Sequence, residues 1–304
     1  MARPAGGALD RTGLLLGLGG YVMWGTLPLY FAAIGRSGPI EVIAHRALWS
    51  LVFCLLLLAL GRQLREFLAI FRSPRTLGTL ATAALLVCAN WLLFVYAVQT
   101  GHVVEASLGY FINPLLTAGL AVVVLRERLR PLQWSALGIG AIAVVVITTA
   151  VGRAPWIALG LAFSFGLYGL AKNRVGRTVG AVPGLAVETT VLAPLGLVYL
   201  VWLGAHGEPT FTAHGPGYAL LLAASGAITA IPLLLFSAAA RRLPLSVIGL
   251  MQYITPMMQF LLGVLVFGEH MPTARWVGFV LVWAALGLLS VDAVRNLRRP
   301  RVGG

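Results

Sequence analysis

Long apolar runs recur along the whole of this sequence, and they fix the solvent in which the chain can fold. Each run has about 20 residues, the length that an α-helix needs to cross the hydrocarbon core of a bilayer. Hydrophobic residues make up 59% of the chain and charged residues only 10%, whereas about a quarter of a soluble domain is charged. The sequence therefore predicts an all-α integral membrane protein with ten transmembrane helices. The predicted segments are 13–33, 40–60, 77–98, 102–125, 134–151, 155–171, 182–203, 217–239, 244–267 and 273–293.

The basic residues predict how these helices are oriented. The chain has a net charge of +13, and if both termini are cytoplasmic, 18 of its 22 Lys and Arg residues fall on the cytoplasmic side. Arg36, Arg153 and Arg275 then lie in outer loops, and Arg46 lies within the second helix. This is the bias that the positive-inside rule describes. The charge therefore encodes orientation in a membrane, and nucleic acid is not expected as a partner.

A shift of 142 positions aligns residues 110–134 with residues 252–276 and also pairs 90–94 with 232–236. Matches among Leu, Ile and Val are common in any two membrane helices, but coincident Pro, Glu and Trp in one ungapped window are not. The identical pairs are Ile112/Ile254, Pro114/Pro256, Leu120/Leu262, Val122/Val264, Val124/Val266, Glu127/Glu269 and Trp134/Trp276. The sequence therefore predicts two related halves, as in many secondary transporters.

The two halves are expected to be inverted relative to each other, because each holds five predicted helices and five is an odd number. The loop charges agree with this inversion. Segment 126–130 has three Arg residues and its counterpart 268–272 has none, whereas 241–242 is Arg-Arg and its counterpart 99–100 is Gln-Thr. The predicted division of the chain is a first five-helix repeat at 12–152, a second, inverted five-helix repeat at 153–294 and a basic cytoplasmic tail at 295–304.

Two proline residues at equivalent positions interrupt the fourth and ninth predicted helices. Proline inside a helix removes one backbone donor and displaces the carbonyl four residues earlier, so Pro114 is expected to free the carbonyl of Tyr110, and Pro256 that of Gln252. In hydrocarbon such a break is tolerated where protein or a water-filled cavity supplies partners. Paired breaks therefore indicate a binding cavity near the membrane midplane, with a simple packing kink as the alternative.

Polar and aromatic side chains on the predicted helices supply the candidate site. Ionisable groups inside a membrane are costly and are functional candidates by default. An ion pair between Arg46 and Glu105 is the structural alternative to direct contact of these residues with substrate or a proton, and membrane aromatics often face lipid instead. The predicted substrate-binding or transport-pathway residues are Trp24, His45, Arg46, Asn90, Trp91, Glu105, Tyr110, Asn113, Pro114, Glu188, Gln252, Pro256 and Gln259.

Five long segments distributed along the chain resemble one family of membrane proteins. They are "EVIAHRALWS" (41–50), "NWLLFVYAVQTGHVVEASLGYFINPL" (90–115), "RERLRPLQW" (126–134), "PWIALGLAFSFGLYGL" (155–170) and "PLLLFSAAARRLPLSVIGLMQYITP" (232–256). They resemble the RarD-type permeases of the EamA family, within the drug/metabolite transporter superfamily. The resemblance implies ten helices in two EamA-type repeats, a cytoplasmic (inner) cell membrane location, and the movement, usually export, of small molecules. It carries an association by name with chloramphenicol sensitivity but fixes no substrate.

Motifs for other chemistries are weak. Residues 138–143 fit the glycine pattern of dinucleotide-binding proteins, but they lie inside an apolar run with no preceding strand. His206, Glu208 and His214 share the longest outer loop without the spacing that holds a metal. No phosphate loop of the ATPase type is present in the sequence. Neither a metal nor an organic cofactor is therefore expected.

The predicted function is a secondary-active or facilitative permease that moves small metabolites or drug-like molecules by alternating access. Proton coupling through Glu105 or Glu188 is a hypothesis that rests on their placement in apolar segments. An enzyme is not expected, although an intramembrane arrangement of His45 with Glu105 or Glu188 is the one enzymatic alternative. A non-transporting sensor or scaffold that binds a small molecule is the alternative from another class. The expected partners are a small-molecule substrate and the lipid bilayer, with the chain as a monomer or a homodimer.

Overall fold

The computed structural model describes residues 10–125, 129–175, 178–207 and 209–298, and within these ranges the chain is helical with no β-strand. Glu127 of the predicted repeat, Glu208, Arg126, Arg128 and the end of the predicted tail lie outside the described residues. The helices are α1 (Arg11–Gly25), α2 (Leu27–Ala33), α3 (Pro39–Leu60), α4 (Leu64–Ile70), α5 (Pro74–Gln99), α6 (Val103–Leu125), α7 (Pro131–Val151), α8 (Trp156–Val175), α9 (Ala181–His206), α10 (Thr210–Ala213), α11 (Gly215–Ala240), α12 (Leu245–Met251), α13 (Ile254–Leu261) and α14 (Thr273–Arg298), with a π-helix at Leu262–Val266 between α13 and α14.

Nine helical segments in the described part of the chain are long and apolar enough to cross a membrane, so this is a multi-pass membrane protein. They correspond to nine of the ten predicted runs. The remaining run, 155–171, forms α8, whose last turn carries Lys172, Asn173 and Arg174. These polar residues lower the average hydropathy of α8, which is not among the nine. The short helices α4 and α10 were not predicted from the sequence, because each lies between apolar runs.

Local sequence signals account for several of the helix ends. The helices α3, α5 and α7 each begin with proline, whose fixed φ suits the first turn and whose missing N–H has no helical partner to lose. Asp10 caps α1, accepting hydrogen bonds from the N–H groups of Thr12 at 2.9 Å and Gly13 at 3.2 Å. Gly152 ends α7 with φ 76°, a left-handed conformation that favours glycine.

The helix boundaries follow the 142-residue shift. Pro39 and Ala181 begin α3 and α9, Val103 and Leu245 begin α6 and α12, and Pro131 and Thr273 begin α7 and α14, each pair 142 residues apart. The packing is paired in the same way: α1 lies against α11 and α13, while its counterpart α8 lies against α5 and α6, and α3 and α9 pack against each other. The two halves of the chain therefore have similar helix boundaries and similar packing, and α3 and α9 lie at a contact between them.

The two equivalent prolines have different effects. The predicted break is confirmed near Pro256, where a turn at Gln252 and Tyr253 separates α12 from α13. It is wrong at Pro114, because α6 continues through this residue from Val103 to Leu125.

Packing explains why α6 stays continuous. Phe111 packs edge-on against Phe279 and Trp283 of α14, and the Leu115 side chain lies against Gly140 of α7. These neighbours support both sides of the proline, so that one lost backbone hydrogen bond does not end the helix.

Backbone-to-backbone contact holds α3 against α11. A Cβ added to Gly226 would lie 2.3 Å from the carbonyl oxygen of Trp49 and 2.5 Å from its carbonyl carbon. Small residues at helix interfaces permit such close approach in membranes. We expect Gly226→Ala to lower the free energy of unfolding by about 1–3 kcal/mol through overpacking, measured as a lower thermal midpoint of the purified protein in detergent.

Gly204→Ala is the matched control for this substitution. A Cβ at Gly204 of α9 meets nothing within 4 Å, and alanine has the higher helix propensity, so its midpoint should be unchanged or raised. Equal midpoints for the two variants would contradict the packing of α3 on α11 described above.

Candidate functional site

The Arg46 side chain of α3 lies between helices of both halves. Its residue is 5% exposed, and its Nε donates a hydrogen bond to Thr229 Oγ1 of α11 at 2.9 Å. The guanidinium carbon lies 4.0 Å from the centre of the Trp91 ring and 5.5 Å from that of Phe31. Cation–π contact of this kind stabilises a desolvated guanidinium. Arg46 is therefore held by one hydroxyl and two aromatic rings.

Arg46 has no ionic partner in the described ranges of the chain. The carboxylates that form ion pairs there do so with other residues. The buried side-chain atoms without a hydrogen-bond partner include His45 Nε2 and Asn113 Oδ1 but no nitrogen of Arg46. Because only Nε has an acceptor among the described residues, the two terminal nitrogens present an edge that no described residue occupies.

A short chain of neutral polar groups links α6, α5 and α8 and includes Asn90, the sequence neighbour of Trp91. The Tyr110 hydroxyl of α6 donates to Asn90 Oδ1 of α5 at 3.1 Å. Asn90 Nδ2 in turn donates to the Leu161 carbonyl at 3.1 Å and to Ser164 Oγ at 3.0 Å, both on α8. The structure thus brings together four predicted residues, Arg46, Asn90, Trp91 and Tyr110. We call these four, with Phe31 and Thr229, the Arg46 site.

Glu105 has a structural partner that the sequence did not suggest. Its Oε1 accepts a hydrogen bond from the N–H of Ile157, in the first turn of α8, at 3.0 Å, and its Oε2 lies 3.9 Å from Arg153 Nη2. The hypothesis of an ion pair between Arg46 and Glu105 is therefore wrong. A carboxylate at a helix N-terminus is stabilised by the free N–H groups and the helix dipole, which explains an acidic residue at the start of a membrane helix.

Two more glutamates satisfy backbone groups at the same end of the bundle. Glu269 accepts hydrogen bonds from the N–H groups of Val103, and of Val104 at 3.0 Å, at the start of α6. Glu41 accepts from the N–H of Thr210 at 2.8 Å and from its hydroxyl at 2.9 Å. We call this end, with Glu41, Glu105 and Glu269, the glutamate end. Burial raises the pKa of the Glu269 carboxyl above its ordinary value, whereas these N–H donors lower it.

Glu188 on α9 forms a buried ion pair near the other end of the bundle. It is 1% exposed, and Lys172 Nζ of α8 donates to its Oε1 at 2.6 Å. The Tyr168 hydroxyl donates to its Oε2 at 3.3 Å. The partner lies only 16 residues away in sequence, at the polar end of α8, so hydropathy alone did not associate the two. Glu188 is not part of the Arg46 site.

The 142-residue shift relates the Arg46 site to this ion pair. Position 46 is equivalent to position 188, so Arg46 of the first half corresponds to Glu188 of the second. Position 30 is equivalent to position 172, so Tyr30 corresponds to Lys172. The repeat thus places Arg46 and Glu188 at equivalent positions. Glu188 has a charged partner, Lys172, whereas the position equivalent to that partner in the first half holds the neutral Tyr30.

The other predicted residues are not part of the Arg46 site. His45 stacks on Phe211 with ring centres 4.8 Å apart. Gln259 Nε2 donates a hydrogen bond to the Trp24 carbonyl at 3.2 Å, and Gln259 Oε1 is buried with no hydrogen-bond donor among the described residues. Gln252 is exposed.

Several residues of these sites were missed by the sequence reasoning. The missed residues are Tyr30, Phe31, Ser164, Tyr168, Lys172 and Thr229. Only Tyr30 and Lys172 had a signal in the sequence. The 142-residue shift makes these two positions equivalent, just as it makes Arg46 equivalent to Glu188.

In the described ranges no three His, Cys, Asp or Glu side chains are grouped so that they could hold a metal ion. His206 stacks on Trp202 and His214 lies edge-on to Tyr218, while Glu208 lies outside the described residues. Neutral polar groups, aromatic rings and one free guanidinium edge are suited to binding and orienting a small molecule.

Comparison with known proteins shows the family. The EamA-like transporter family matches residues 11–149 and 153–291, two copies along the chain. Protein RarD of Streptomyces exfoliatus is 54% identical over 295 residues, which cover 96% of this chain and 92% of that protein. Protein RarD of Escherichia coli (strain K12) is 40% identical over 289 residues, covering 95% and 97%. An uncharacterized transporter of Vibrio cholerae is 40% identical over 285 residues, covering 94% of each chain.

A solved crystal structure has the same fold. It matches with a TM-score of 0.59 and 20% sequence identity over 92% of this chain and 98% of the other. The family expected from the five segments is confirmed by the two matched copies and by relatives that align from end to end. This chain is therefore a RarD-type member of the EamA-like transporter family.

Proposed function

We propose that this membrane transporter is a secondary-active or facilitative permease that exports small metabolites or drug-like molecules by alternating access. Its ten membrane helices, including α8, would form two inverted repeats in the cytoplasmic (inner) cell membrane, with both termini in the cytoplasm. The observation that carries the proposal is the Arg46 site, where a buried cation with a free edge lies between α3, α5 and α6 of the first repeat and α11 of the second. Relatives named as transporters support it.

Contacts between the repeats close the glutamate end. Ser37, before α3, hydrogen-bonds through its hydroxyl to Thr210 Oγ1 at 2.5 Å and to the Tyr218 hydroxyl at 2.7 Å. Glu269 of the second repeat binds the start of α6 in the first, and Glu105 of the first binds the start of α8 in the second. Opening this end by a rocking motion requires these contacts to separate. The glutamate end is therefore the proposed outer gate.

A reversible cross-link across this gate tests the proposed motion. The hydroxyls of Ser37 and Thr210 are close enough for Ser37→Cys/Thr210→Cys to form a disulfide. We expect cells that overproduce the native chain to release at least one small molecule above the level of vector controls. The double variant should release it when reduced, lose most of the release after oxidation with diamide, and recover it in dithiothreitol.

The single variants Ser37→Cys and Thr210→Cys, oxidised in the same way, are the matched controls and should keep their release. Equal release by the oxidised and reduced double variant, with the cross-link verified, would contradict alternating access at this gate. If the native chain releases no metabolite above the vector level while inserted correctly, the permease proposal fails and the alternative of a non-transporting binding protein is favoured.

Glu188 is the proposed point of proton coupling. Glu41, Glu105 and Glu269 bind backbone N–H groups, whereas Glu188 contacts only side chains, Lys172 and Tyr168, among the described residues. A proton can replace Lys172 as the partner of Glu188 without disturbing a helix end. We expect collapse of the proton gradient to reduce release by the native chain but to leave any residual release by Glu188→Gln unchanged. Native release that is insensitive to the gradient at neutral pH would contradict coupling.

A further inference from the structure

Arg46 carries a buried charge that the described residues do not balance. An isolated ion inside a protein is strongly destabilising unless it is paired. Thr229 and the rings of Trp91 and Phe31 compensate the guanidinium in part, but each is neutral. An anionic partner is therefore the missing component of this site.

The second repeat shows what a balanced version looks like. At the equivalent position Glu188 is paired with Lys172, one helix away, at 2.6 Å. The position equivalent to Lys172 in the first repeat is Tyr30, whose hydroxyl donates to the Leu221 carbonyl at 2.8 Å. The first repeat thus has the buried charge without the counter-ion that its twin has. This difference indicates that the counter-ion of Arg46 comes from outside the chain.

The geometry selects the kind of anion. Because Thr229 occupies Nε, the free edge of Arg46 is the pair of terminal nitrogens, which matches two carboxylate oxygens. Arg46 is the only Lys or Arg among the six residues of the Arg46 site. A dianion such as a phosphate monoester would therefore leave one negative charge unbalanced.

The surroundings also select the rest of the ligand. Phe31 and Trp91 lie beside Arg46, and Tyr110 packs on Phe94 in the same cluster. These rings favour an apolar or aromatic body. None of the six residues of the Arg46 site carries a carboxylate that could pair with a ligand ammonium. A free amino acid would therefore bring a positive charge into a site that already has one.

We infer that the Arg46 site binds a small organic carboxylate, a monoanion with an apolar body and no ammonium group. As a binding site this stands on the contacts above, and as the transported substrate class it rests on the proposed function. The carboxylate would bind the free edge of Arg46 in the plane of the guanidinium, which leaves the stack on Trp91 intact.

Calorimetric titration of the purified full-length chain in lipid nanodiscs tests this inference. The probe is 3-phenylpropanoate, and empty nanodiscs correct for partition into lipid. We expect saturable binding with a stoichiometry of one per chain. Three related compounds test the charge of the ligand: 3-phenylpropanamide removes the charge, phenylalanine adds an ammonium, and phenyl phosphate replaces the carboxylate by a dianion. Each should bind at least about tenfold more weakly than the probe.

Two variants identify the site. Arg46→Gln should weaken binding of 3-phenylpropanoate by about 30-fold or more, because the partner of a buried charge is lost. Tyr30→Glu should also abolish binding, because the new carboxylate would pair with Arg46 as Lys172 pairs with Glu188 and would take the place of the ligand carboxylate. Its thermal midpoint should not fall below that of Arg46→Gln, because the new pair balances the charge. Arg242 is exposed at the end of the bundle opposite the glutamate end, and the Arg242→Gln variant should bind 3-phenylpropanoate as tightly as the native chain does.

The outcomes separate this inference from the proposed function. Binding of 3-phenylpropanamide or phenylalanine as tight as that of the probe would overturn the inference, as would unchanged binding in a folded Tyr30→Glu variant. Gated release of a metabolite together with no carboxylate binding would leave the permease proposal standing and refute the inference. Carboxylate binding that depends on Arg46, without any release, would support the inference and refute transport.

Discussion

A charge buried between membrane helices has to be balanced inside the bundle, because hydrocarbon offers neither counter-ions nor hydrogen bonds. Most of the ionisable side chains described above obey this constraint in one of two ways. Glu41, Glu105 and Glu269 are stabilised by hydrogen bonds from backbone N–H groups at the start of other helices, and the charge of Glu188 is balanced by Lys172. The contacts of the glutamate end, the buried ion pair and the Arg46 site all follow from how each charge meets, or fails to meet, this requirement.

Much of the fold could be predicted from the sequence because its signals are local. Apolar length, first-turn prolines and capping residues lie within the helices that they specify, and the 142-residue shift carries the organisation of one half to the other. The polar end of α8 shows the limit of this reasoning, since Lys172 both lowers the hydropathy of the helix and balances a buried carboxylate. The same residue looks unfavourable in the sequence and is favourable in the structure.

The candidate site was harder to predict, since its contacts join distant parts of the chain. Glu105 is bound by a backbone N–H 52 residues away, and no side-chain pattern can indicate a backbone partner. Pro114 and Pro256 are equivalent in sequence but differ in structure, because the neighbours of α6 keep it continuous through its proline. In contrast, the equivalence of Arg46 and Glu188 could be read from the sequence, because the same position of the repeat holds opposite charges in its two copies.

The unbalanced charge of Arg46 has an electrical consequence for any cycle built around it. An empty carrier would expose one fixed positive charge to the field across the membrane, whereas a carrier loaded with a monoanion would present no net charge at this site. The membrane potential acts on the charge that moves. In such a cycle the voltage would therefore act mainly on the return of the empty protein, and the loaded step would be almost independent of it.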